Sequence, residues 1–422
     1  SGSGMKQHFI DRHHGREPVD YLHPTMEQAL GDTYGVMIYQ EDVLKVAHAV
    51  AGMTLDEADT LRRAMSRKRG AREMARNMKR FIEGATANGV PEETACAIWE
   101  LIANFAAYAY CKAHATTYGE LACQCAYLKA HYPAEFFTAV LANGGGFYSA
   151  PVYVSEARRC GAPVLPPDVN RSEHNYVQEG HAIRCGLAPI GSLTEKTMNA
   201  LLEMRDDGPF RNLNDLLARV PVSVGDGEAL CQAGALDGLS DKTTATPITR
   251  PMQFWQLCGN RESGANRLFA AAATGIPTLP DYSARKKTHL EWERLGMLLS
   301  THPFRYHAAY CHKHDFIACN HLVEYDGKNV TMLGIVIAER RLSLRNGQGC
   351  MKFLTMEDVW GIFEAVLFPE TYRCYGHLPA LGRTVICTGV VQCEHNAPTL
   401  IVERIMLPLP DPNPMAARPG MT

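Results

Sequence analysis

The 422-residue sequence predicts a protein of several domains: a mainly helical region, then a mixed α/β region, then a small β-barrel. Its length exceeds that of one ordinary domain. Apolar residues in the first third recur at helical spacing, which predicts amphipathic helices. In the last quarter, short β-branched apolar runs alternate with turn signals, which predicts strands.

The helical region contains a clear helix start at Thr54. Thr54 and Glu57 form a capping-box pattern ahead of an apolar stripe, and the helix they begin carries Arg62 and Arg63 near its C-terminal end. A later helix is predicted over 118–131, before a proline that begins the next one. Between about 150 and 240 the pattern mixes short strands with helices.

Five short strands are predicted in the last quarter of the chain. The first is an apolar run over 330–338, and the Asn-Gly pair at 346–347 predicts a hairpin turn after it. The other four cover 351–356, 361–368, 384–391 and 399–405. Five strands in a segment this short suggest a small barrel, with the oligonucleotide-binding type (OB-fold) as the leading candidate.

Composition excludes several classes of protein. Hydrophobic content of 46% and charged content of 21% are typical of a globular protein. No apolar run approaches the roughly 20 residues needed to span a bilayer, so we expect no membrane contact. The 14 cysteines are scattered, which favours reduced thiols in a cytoplasmic protein over disulfides.

Cysteine and histidine residues cluster once, over 311–321, where Cys311, His312, His314, Cys319 and His321 occur. Their spacing fits no common zinc pattern, so we predict no metal site there.

Basic residues concentrate between Arg62 and Arg80, although the net charge of the chain is −3. This segment holds one acidic residue, Glu73, among nine basic ones: Arg62, Arg63, Arg67, Lys68, Arg69, Arg72, Arg76, Lys79 and Arg80. Such a local excess favours a phosphate-facing patch, and a solvated face is the alternative.

Six motifs, in order, resemble the bacterial DNA polymerase III alpha subunit family. They are Phe9–Glu17 (FIDRHHGRE), Thr33–Glu41 (TYGVMIYQE), Ala58–Met65 (ADTLRRAM), Tyr110–His114 (YCKAH), Tyr127–Phe136 (YLKAHYPAEF) and Leu165–Asn170 (LPPDVN). The resemblance covers nearly the whole chain. Cys111 and Ala113 depart from the Asn and Ser of many relatives and are similar to the error-prone branch.

The resemblance implies a domain order. We expect the fingers core over 1–150, the distal fingers with a helix-hairpin-helix over 151–245, a connector over 246–325, an OB-fold over 326–410 and a tail over 411–422. The fold class is therefore multidomain: a mainly α fingers domain, an α/β helix-hairpin-helix region and a small β-barrel.

In this family the fingers close over the incoming nucleotide. Arg62 and Arg63 match the paired arginines of the family, and Lys112 and His114 match its Lys-x-His, which implies that these four residues face the nucleotide or nearby phosphates. The planar fork of arginine suits phosphate oxygens. The alternative is that the two arginines only complement a helix C-terminus. Arg67, Lys68 and Arg69 are expected to contact DNA.

Residues 186–195 align with the helix-hairpin-helix of the family. Such a hairpin normally uses two glycines, so that backbone N–H groups approach a DNA phosphate. Ser192 and Thr194 stand in those positions. Either this hairpin binds DNA more weakly, or it survives only as packing.

The barrel is expected to hold a single strand, because OB-folds stack bases on aromatic rings beside basic side chains. The candidates are Arg340, Arg341, Arg345, Lys352 and Phe353. The alternation leaves open whether Phe353 faces the strand or the core.

The connector contains a degenerate match to the sliding-clamp-binding peptide of the family. Its apolar anchors would be Leu268 and Phe269. The usual Gln is absent, and an amphipathic helix leading into the alanines after Phe269 is the competing interpretation.

Polymerase chemistry needs paired carboxylates that hold two metal ions. In this family those aspartates, with their Mg²⁺, lie in the palm, upstream of the residues matched here. We therefore predict that this chain alone holds no cofactor and extends no primer. Three hypotheses remain: part of a complete polymerase, one half of a split polymerase that assembles with a palm-containing fragment, or a stand-alone DNA-binding scaffold. Expected partners are DNA, dNTP and the sliding clamp, at the bacterial nucleoid.

Overall fold

The structure, a computed structural model, describes residues 4–66, 71–105, 110–239, 248–259, 277–307, 315–344, 349–394 and 396–408. The chain divides into two compact units, Ser1–Ala126 and Tyr127–Thr422. The boundary falls within one long helix. The hydrophobic core of the first unit is separate from those of the second, which lie in its helical part and in its barrel.

The regular secondary structure described in the first unit is helical, apart from an isolated bridge between Tyr39 and Tyr110. Its helices are α1 (Met5–His13), α2 (Thr25–Leu30), α3 (Gln40–Ala51), α4 (Leu55–Ser66), α5 (Ala71–Ala87), α6 (Glu92–Phe105) and α7 (Lys112–His131). The predicted capping box is confirmed, since Thr54 N–H donates to Glu57 Oε2 at 3.0 Å and Glu57 N–H to Thr54 Oγ1 at 3.3 Å. As predicted, α4 therefore begins at Leu55 and carries Arg62 and Arg63.

Helix α3 lies at the centre of the first unit. Val43, Val46 and Val50, spaced at three and four residues, are fully buried on one face. Helix α5 packs closely on it, because a side chain at Gly84 would collide with the carbonyl oxygen of Ala51. This close approach holds the C-terminal end of α3 against α5.

The second unit begins with helices and a small sheet. The helices are α8 (Pro133–Ala142), α9 (Ala150–Arg159), α10 (Glu195–Arg205), α11 (Leu213–Arg219), α12 (Val224–Ala233), α13 (Arg250–Gly259) and α14 (Ala284–Leu295). The strands are β1 (Val164–Leu165), β2 (Val177–Glu179) and β3 (Ala182–Arg184), in the order β1-β3-β2. Ile183, Leu187 and Leu201 are completely buried in the core that these elements share.

The closed barrel follows, with strand order β4-β5-β6-β8-β7. Its elements are β4 (Asn329–Ser343), β5 (Cys350–Glu357), β6 (Ile362–Leu367), α15 (Pro369–Tyr375), β7 (Thr384–Glu394) and β8 (Ala397–Met406). All neighbours are antiparallel except β6 and β8. The five predicted strands and the predicted fold class are thus confirmed. The hairpin turn predicted at 346–347 lies outside the described residues.

A buried ion pair ties α9 to the barrel within the second unit. Arg159 Nη1 lies 2.9 Å from Glu357 Oε1 at the end of β5, and Arg159 Nε also binds Glu156 Oε2 at 2.8 Å. Burial raises the pKa of the Glu357 carboxyl to about 7, and this effect outweighs the nearby Arg159 guanidinium. Strand β5 is therefore held against α9 by a group that titrates near neutral pH.

Across the described ranges, no helix is both long enough and apolar enough to cross a membrane.

Candidate functional site

The N-terminus of α3 is the point where two of the predicted phosphate-binding residues meet. The carboxylate of Asp42 accepts the N–H groups of Ile38 and Tyr39 at 2.9 and 2.8 Å, which fixes the turn before the helix. Gln40 and Glu41 follow directly and project from the first helical turn. Each of these two side chains holds a different predicted residue.

Gln40 contacts Arg62. Arg62 Nη1 donates to Gln40 Oε1 at 2.7 Å, and its Nε donates to Asp59 Oδ1 at 2.9 Å. The neighbouring Arg63 pairs with Asp59 Oδ2 at 2.7 Å, but 65% of its side chain is exposed, against 24% for Arg62. Arg62 is thus oriented by two partners, while Arg63 extends into solvent beside it.

Glu41 contacts the backbone at Lys112. Lys112 N–H donates to Glu41 Oε2 at 2.9 Å, and the Lys112 ammonium lies 5.5 Å from the centre of the Tyr39 ring. Gln40 N–H also donates to Tyr110 O at 2.7 Å, which closes the contact between the two segments. We call Gln40, Glu41, Arg62 and Lys112 the Gln40 cluster.

Charges in and beside the Gln40 cluster are partly balanced. Burial alone would raise the pKa of the Glu41 carboxyl, but hydrogen bonds from Lys112 N–H and Cys111, with the charge of Arg62, hold it below its usual value. The carboxylates of Glu41 and Asp59 therefore partly balance the cationic side chains of Arg62 and Arg63. A polyphosphate could compete with these carboxylates for the cationic side chains.

His114 lies on the exposed surface of α7, where its ring contacts Tyr118 edge-on, with the ring centroids 4.5 Å apart. The structure thus brings Arg62 and Lys112 together, with Arg63 beside them, and records no direct contact of His114 with the cluster among the described residues. The sequence prediction missed Gln40, Glu41 and Asp59, although Gln40 and Glu41 end the TYGVMIYQE motif and Asp59 belongs to the ADTLRRAM motif.

The predicted hairpin keeps its backbone shape at Ser192. Ser192 adopts a φ of 71°, the left-handed conformation that favours glycine. Gly191 N–H donates to Arg294 O at 2.6 Å, and a side chain at 191 would crowd that carbonyl. The hairpin is therefore packed directly on the end of α14.

Thr194 caps α10, and its backbone N–H is already engaged. That N–H donates to Asp226 Oδ1 at 2.7 Å, and Asp226 Oδ2 accepts the hydroxyls of Thr197 at 2.8 Å and Ser223 at 2.6 Å. Asp226 is buried. A helix N-terminus attracts anions. Here an internal carboxylate takes that position, which favours the second of the two expectations for this hairpin, that it survives as packing.

On the barrel, Arg340 and Phe353 lie side by side. They are paired in the β4–β5 ladder, which places both side chains on the same outer face. Arg340 is exposed and Phe353 is half-buried. Phe353 therefore lies on the outer surface of the barrel, beside a cation, and does not face the core. Arg341 is also exposed and contacts Glu339 at 3.3 Å.

Lys352, by contrast, points inward, and the prediction that it contacts a single strand is wrong. Its side chain is 1% exposed, and its ammonium lies 2.7 Å from Glu339 Oε2. It also donates to Pro379 O at 2.5 Å and to Gly376 O at 3.3 Å. The Lys352 ammonium thus binds groups inside the protein, and its bonds to Gly376 and Pro379 hold the segment after α15 against the barrel.

Several predicted residues lie outside the described part of the chain: Arg67, Lys68, Arg69, Leu268, Phe269 and Arg345. Cys311, His312 and His314 also lie outside it. Among the residues that the structure describes, no group of three or more His, Cys, Asp or Glu side chains is placed to hold a metal ion.

Comparison with known proteins identifies two parts of the chain. Residues 1–89 match a family model described as the bacterial DNA polymerase III alpha subunit finger domain, and residues 161–245 match a helix-hairpin-helix motif. The resemblance inferred from the six sequence motifs is thus confirmed, and so is the hairpin.

Curated relatives align along most of the chain. An error-prone DNA polymerase of Symbiobacterium thermophilum is 33% identical over 89% of this chain and 38% of its own length. A DNA polymerase III subunit alpha of Thermus aquaticus is 38% identical over 86% of this chain and 31% of its own. A DNA polymerase III subunit alpha of Mycobacterium tuberculosis is 30% identical over 96% of this chain and 36% of its own length. The chain therefore spans about a third of the length of these relatives.

Among solved structures, the second OB-fold domain of replication protein A from Methanococcus maripaludis aligns with 20% of this chain and 87% of its own. The identity is 19% and the TM-score is 0.17, too low to support a conclusion.

Proposed function

We infer that this chain, which is related over most of its length to the bacterial DNA polymerase III alpha subunits, binds DNA and incoming dNTP while a palm segment carries out nucleotidyl transfer. The observation that carries this proposal is the Gln40 cluster. Its two cations come from separate motifs of the family, and consecutive side chains of α3 hold them together.

The nucleotide would bind through its phosphates. Arg63, the more exposed arginine, and the Lys112 ammonium are both accessible beside α3. Arg62 supports them, because its bonds to Gln40 and Asp59 hold it in one orientation. A site whose cations are oriented before binding loses less entropy when a polyphosphate arrives. We propose that His114 joins this site when α7 meets the nucleotide.

DNA would bind through the barrel and the basic segment. Arg340 beside Phe353 offers a phosphate contact and a ring for a base, the combination by which OB-folds hold single strands. Arg67, Lys68 and Arg69 remain proposed DNA contacts, and Leu268 with Phe269 a proposed contact for a sliding clamp. The hairpin serves as packing, because Asp226 occupies its anion position.

A palm-containing segment is the proposed partner of α7. This 20-residue helix has no buried residue. Tyr118 is 60% exposed and Leu121 is 50% exposed. A helix in a protein gains most of its stability from packing on another element. A covering segment would supply that packing and the Mg²⁺-binding carboxylates, in one chain or two. We place the assembly in the bacterial cytoplasm, at the nucleoid.

The test measures nucleotide binding and primer extension together. A fluorescent dNTP and a primed template are titrated with the chain, with and without an added palm-containing segment. We expect extension only in the mixture, and a loss of dNTP affinity of about tenfold or more when Arg62 and Arg63 are both changed to Ala.

Lys6→Ala is the matched control, because Lys6 is an exposed cation on α1. Equal dNTP affinity in the control and the double variant would overturn the nucleotide role. The scaffold hypothesis would be favoured instead if DNA bound normally but the mixture neither bound dNTP nor extended the primer.

A further inference from the structure

The turn between β5 and β6 is rigid because one carboxylate organises it. Asp358 Oδ1 accepts the N–H groups of Trp360 at 2.8 Å and Gly361 at 2.9 Å, while Asp358 N–H donates to Gly361 O at 2.9 Å. Asp358 Oδ2 accepts Cys319 N–H at 2.7 Å. The turn is therefore fixed both within itself and to the segment before β4.

The residue before this turn is anchored as well. Glu357 is buried and paired with Arg159 of α9 at 2.9 Å. The polar groups of the turn thus face inward, and the backbone around Trp360 has little freedom.

This turn presents a large aromatic side chain to solvent. Trp360 is 63% exposed, whereas Trp99 in the helical unit is 5% exposed. Its neighbour Val359 is 45% exposed and Ile362 is 36% exposed. Exposure of an indole to water is unfavourable, and contact with a ligand would relieve it. Because the turn is rigid, such a contact would cost little conformational entropy.

We propose that the Trp360 indole stacks on a nucleobase of single-stranded nucleic acid bound to the barrel. This inference rests on the proposed single-strand role of the barrel and adds a contact that the sequence did not suggest. Strands β5 and β6 are the second and third strands of the barrel, and the corresponding face binds oligonucleotides in OB-folds.

Two observations favour a base over a protein partner. Phe353, the other ring of this proposed surface, lies on the same strand four residues before Glu357, about 13 Å along β5, a span compatible with one oligonucleotide. The exposed apolar group at the turn is mainly the indole, because the aliphatic side chains of Val359 and Ile362 are less exposed. That suits a flat base better than a stable protein interface, which needs about 800 Å² on each partner.

The experiment uses tryptophan fluorescence of the full chain. The sequence has four tryptophans, and besides Trp360 the exposed one is Trp255, 57% exposed on α13. Oligo-dT is titrated into the wild type and the Trp360→Phe and Trp255→Phe variants, and affinity is measured by anisotropy for Trp360→Ala and Trp255→Ala. We expect quenching to disappear in Trp360→Phe only, and Trp360→Ala to lose about tenfold in affinity.

Each outcome decides between the claims. The stacking role is overturned if the wild type binds oligo-dT, Trp360→Ala binds it equally well and the fluorescence of Trp360→Phe is still quenched. A protein partner would then be the remaining ligand for the indole. If the wild type does not bind oligo-dT, the single-strand role of the barrel fails and this inference falls with it. Thermal melting checks that Trp360→Ala folds.

Discussion

The backbone N–H of Thr194 donates to the carboxylate of Asp226 at 2.7 Å, across 32 residues of sequence. The N-terminus of α10 therefore holds an internal anion where a hairpin of this kind would hold a DNA phosphate. The chain keeps the shape of the hairpin and uses it to join α10 to α12.

Replacing Asp226 with Ala should destabilise the second unit by about 3 kcal/mol, because the donors of Thr194, Thr197 and Ser223 lose their shared acceptor. Burial would raise the pKa of this carboxyl, but the hydrogen bonds from Ser223 and the threonines lower it overall. Its stabilising effect is therefore present above the unfolded pKa and is lost as the pH falls through the lower folded pKa. Urea unfolding between pH 2 and 7 measures this. Asp207→Ala, at an exposed acid, is the control, and an equal effect in both variants would contradict the assignment.

Replacing Ser192 with Gly should stabilise the hairpin by about 1 kcal/mol, because glycine adopts the left-handed φ of 71° without the steric cost that serine bears. Chemical denaturation gives the free energy. The affinity of the variant for duplex DNA should stay within twofold of the wild-type affinity. A large gain in affinity would instead indicate that the hairpin contacts DNA.

Replacing Glu357 with Gln should remove a pH dependence of stability. Burial raises the pKa of Glu357 to about 7, so the folded state retains a proton that the unfolded state loses near its ordinary pKa. The stability that this group contributes is full below the unfolded pKa and declines as the pH rises to about 7, by up to about 3 kcal/mol. Unfolding free energies from pH 4 to 8 test this. A pH profile in Glu357→Gln identical to that of the wild type and of the exposed control Glu394→Gln would exclude Glu357 as the titrating group.

Replacing Lys352 with Met and Arg340 with Ala should have opposite consequences. Lys352→Met should cost about 2 kcal/mol of stability, because Glu339 and two carbonyl groups lose their donor, and should leave single-strand affinity unchanged.

Arg340→Ala should leave stability unchanged and reduce both the affinity for a single strand and the salt dependence of that affinity. Anisotropy titrations at several salt concentrations, with thermal melting, separate the two. A loss of affinity without a loss of stability in Lys352→Met would restore its role as a DNA contact.

Replacing Gln40 with Ala should weaken dNTP binding about threefold to tenfold, because Arg62 loses the acceptor at 2.7 Å that orients it. The fluorescent-dNTP titration measures this, in the presence of a palm-containing segment. Gln28→Ala, at an exposed glutamine on α2, is the control. If Gln40→Ala bound dNTP like the control, Gln40 would be only a structural neighbour of the site.

The sequence by itself determined the elements and their order, because these depend on neighbours within a few residues. The capping box at Thr54 and Glu57 and the β-branched run that becomes β4 are patterns of this kind. The family motifs also predicted Arg62, Arg63, Lys112 and His114 as one phosphate-facing group, although the contacts of these residues could not be read from the motifs.

Only the tertiary structure decided which groups are available to a ligand. Glu41 meets Lys112 across 71 residues, and Asp226 meets Thr194 across 32, so no local pattern shows that these donors are occupied. Lys352 and Phe353 are adjacent in sequence, yet the pleat of β5 sends one inward to Glu339 and the other outward beside Arg340. Whether a side chain is buried, and which group it contacts, is decided only when the barrel is assembled. These two properties separate the structural Lys352 from the exposed Arg340, which can contact a single strand.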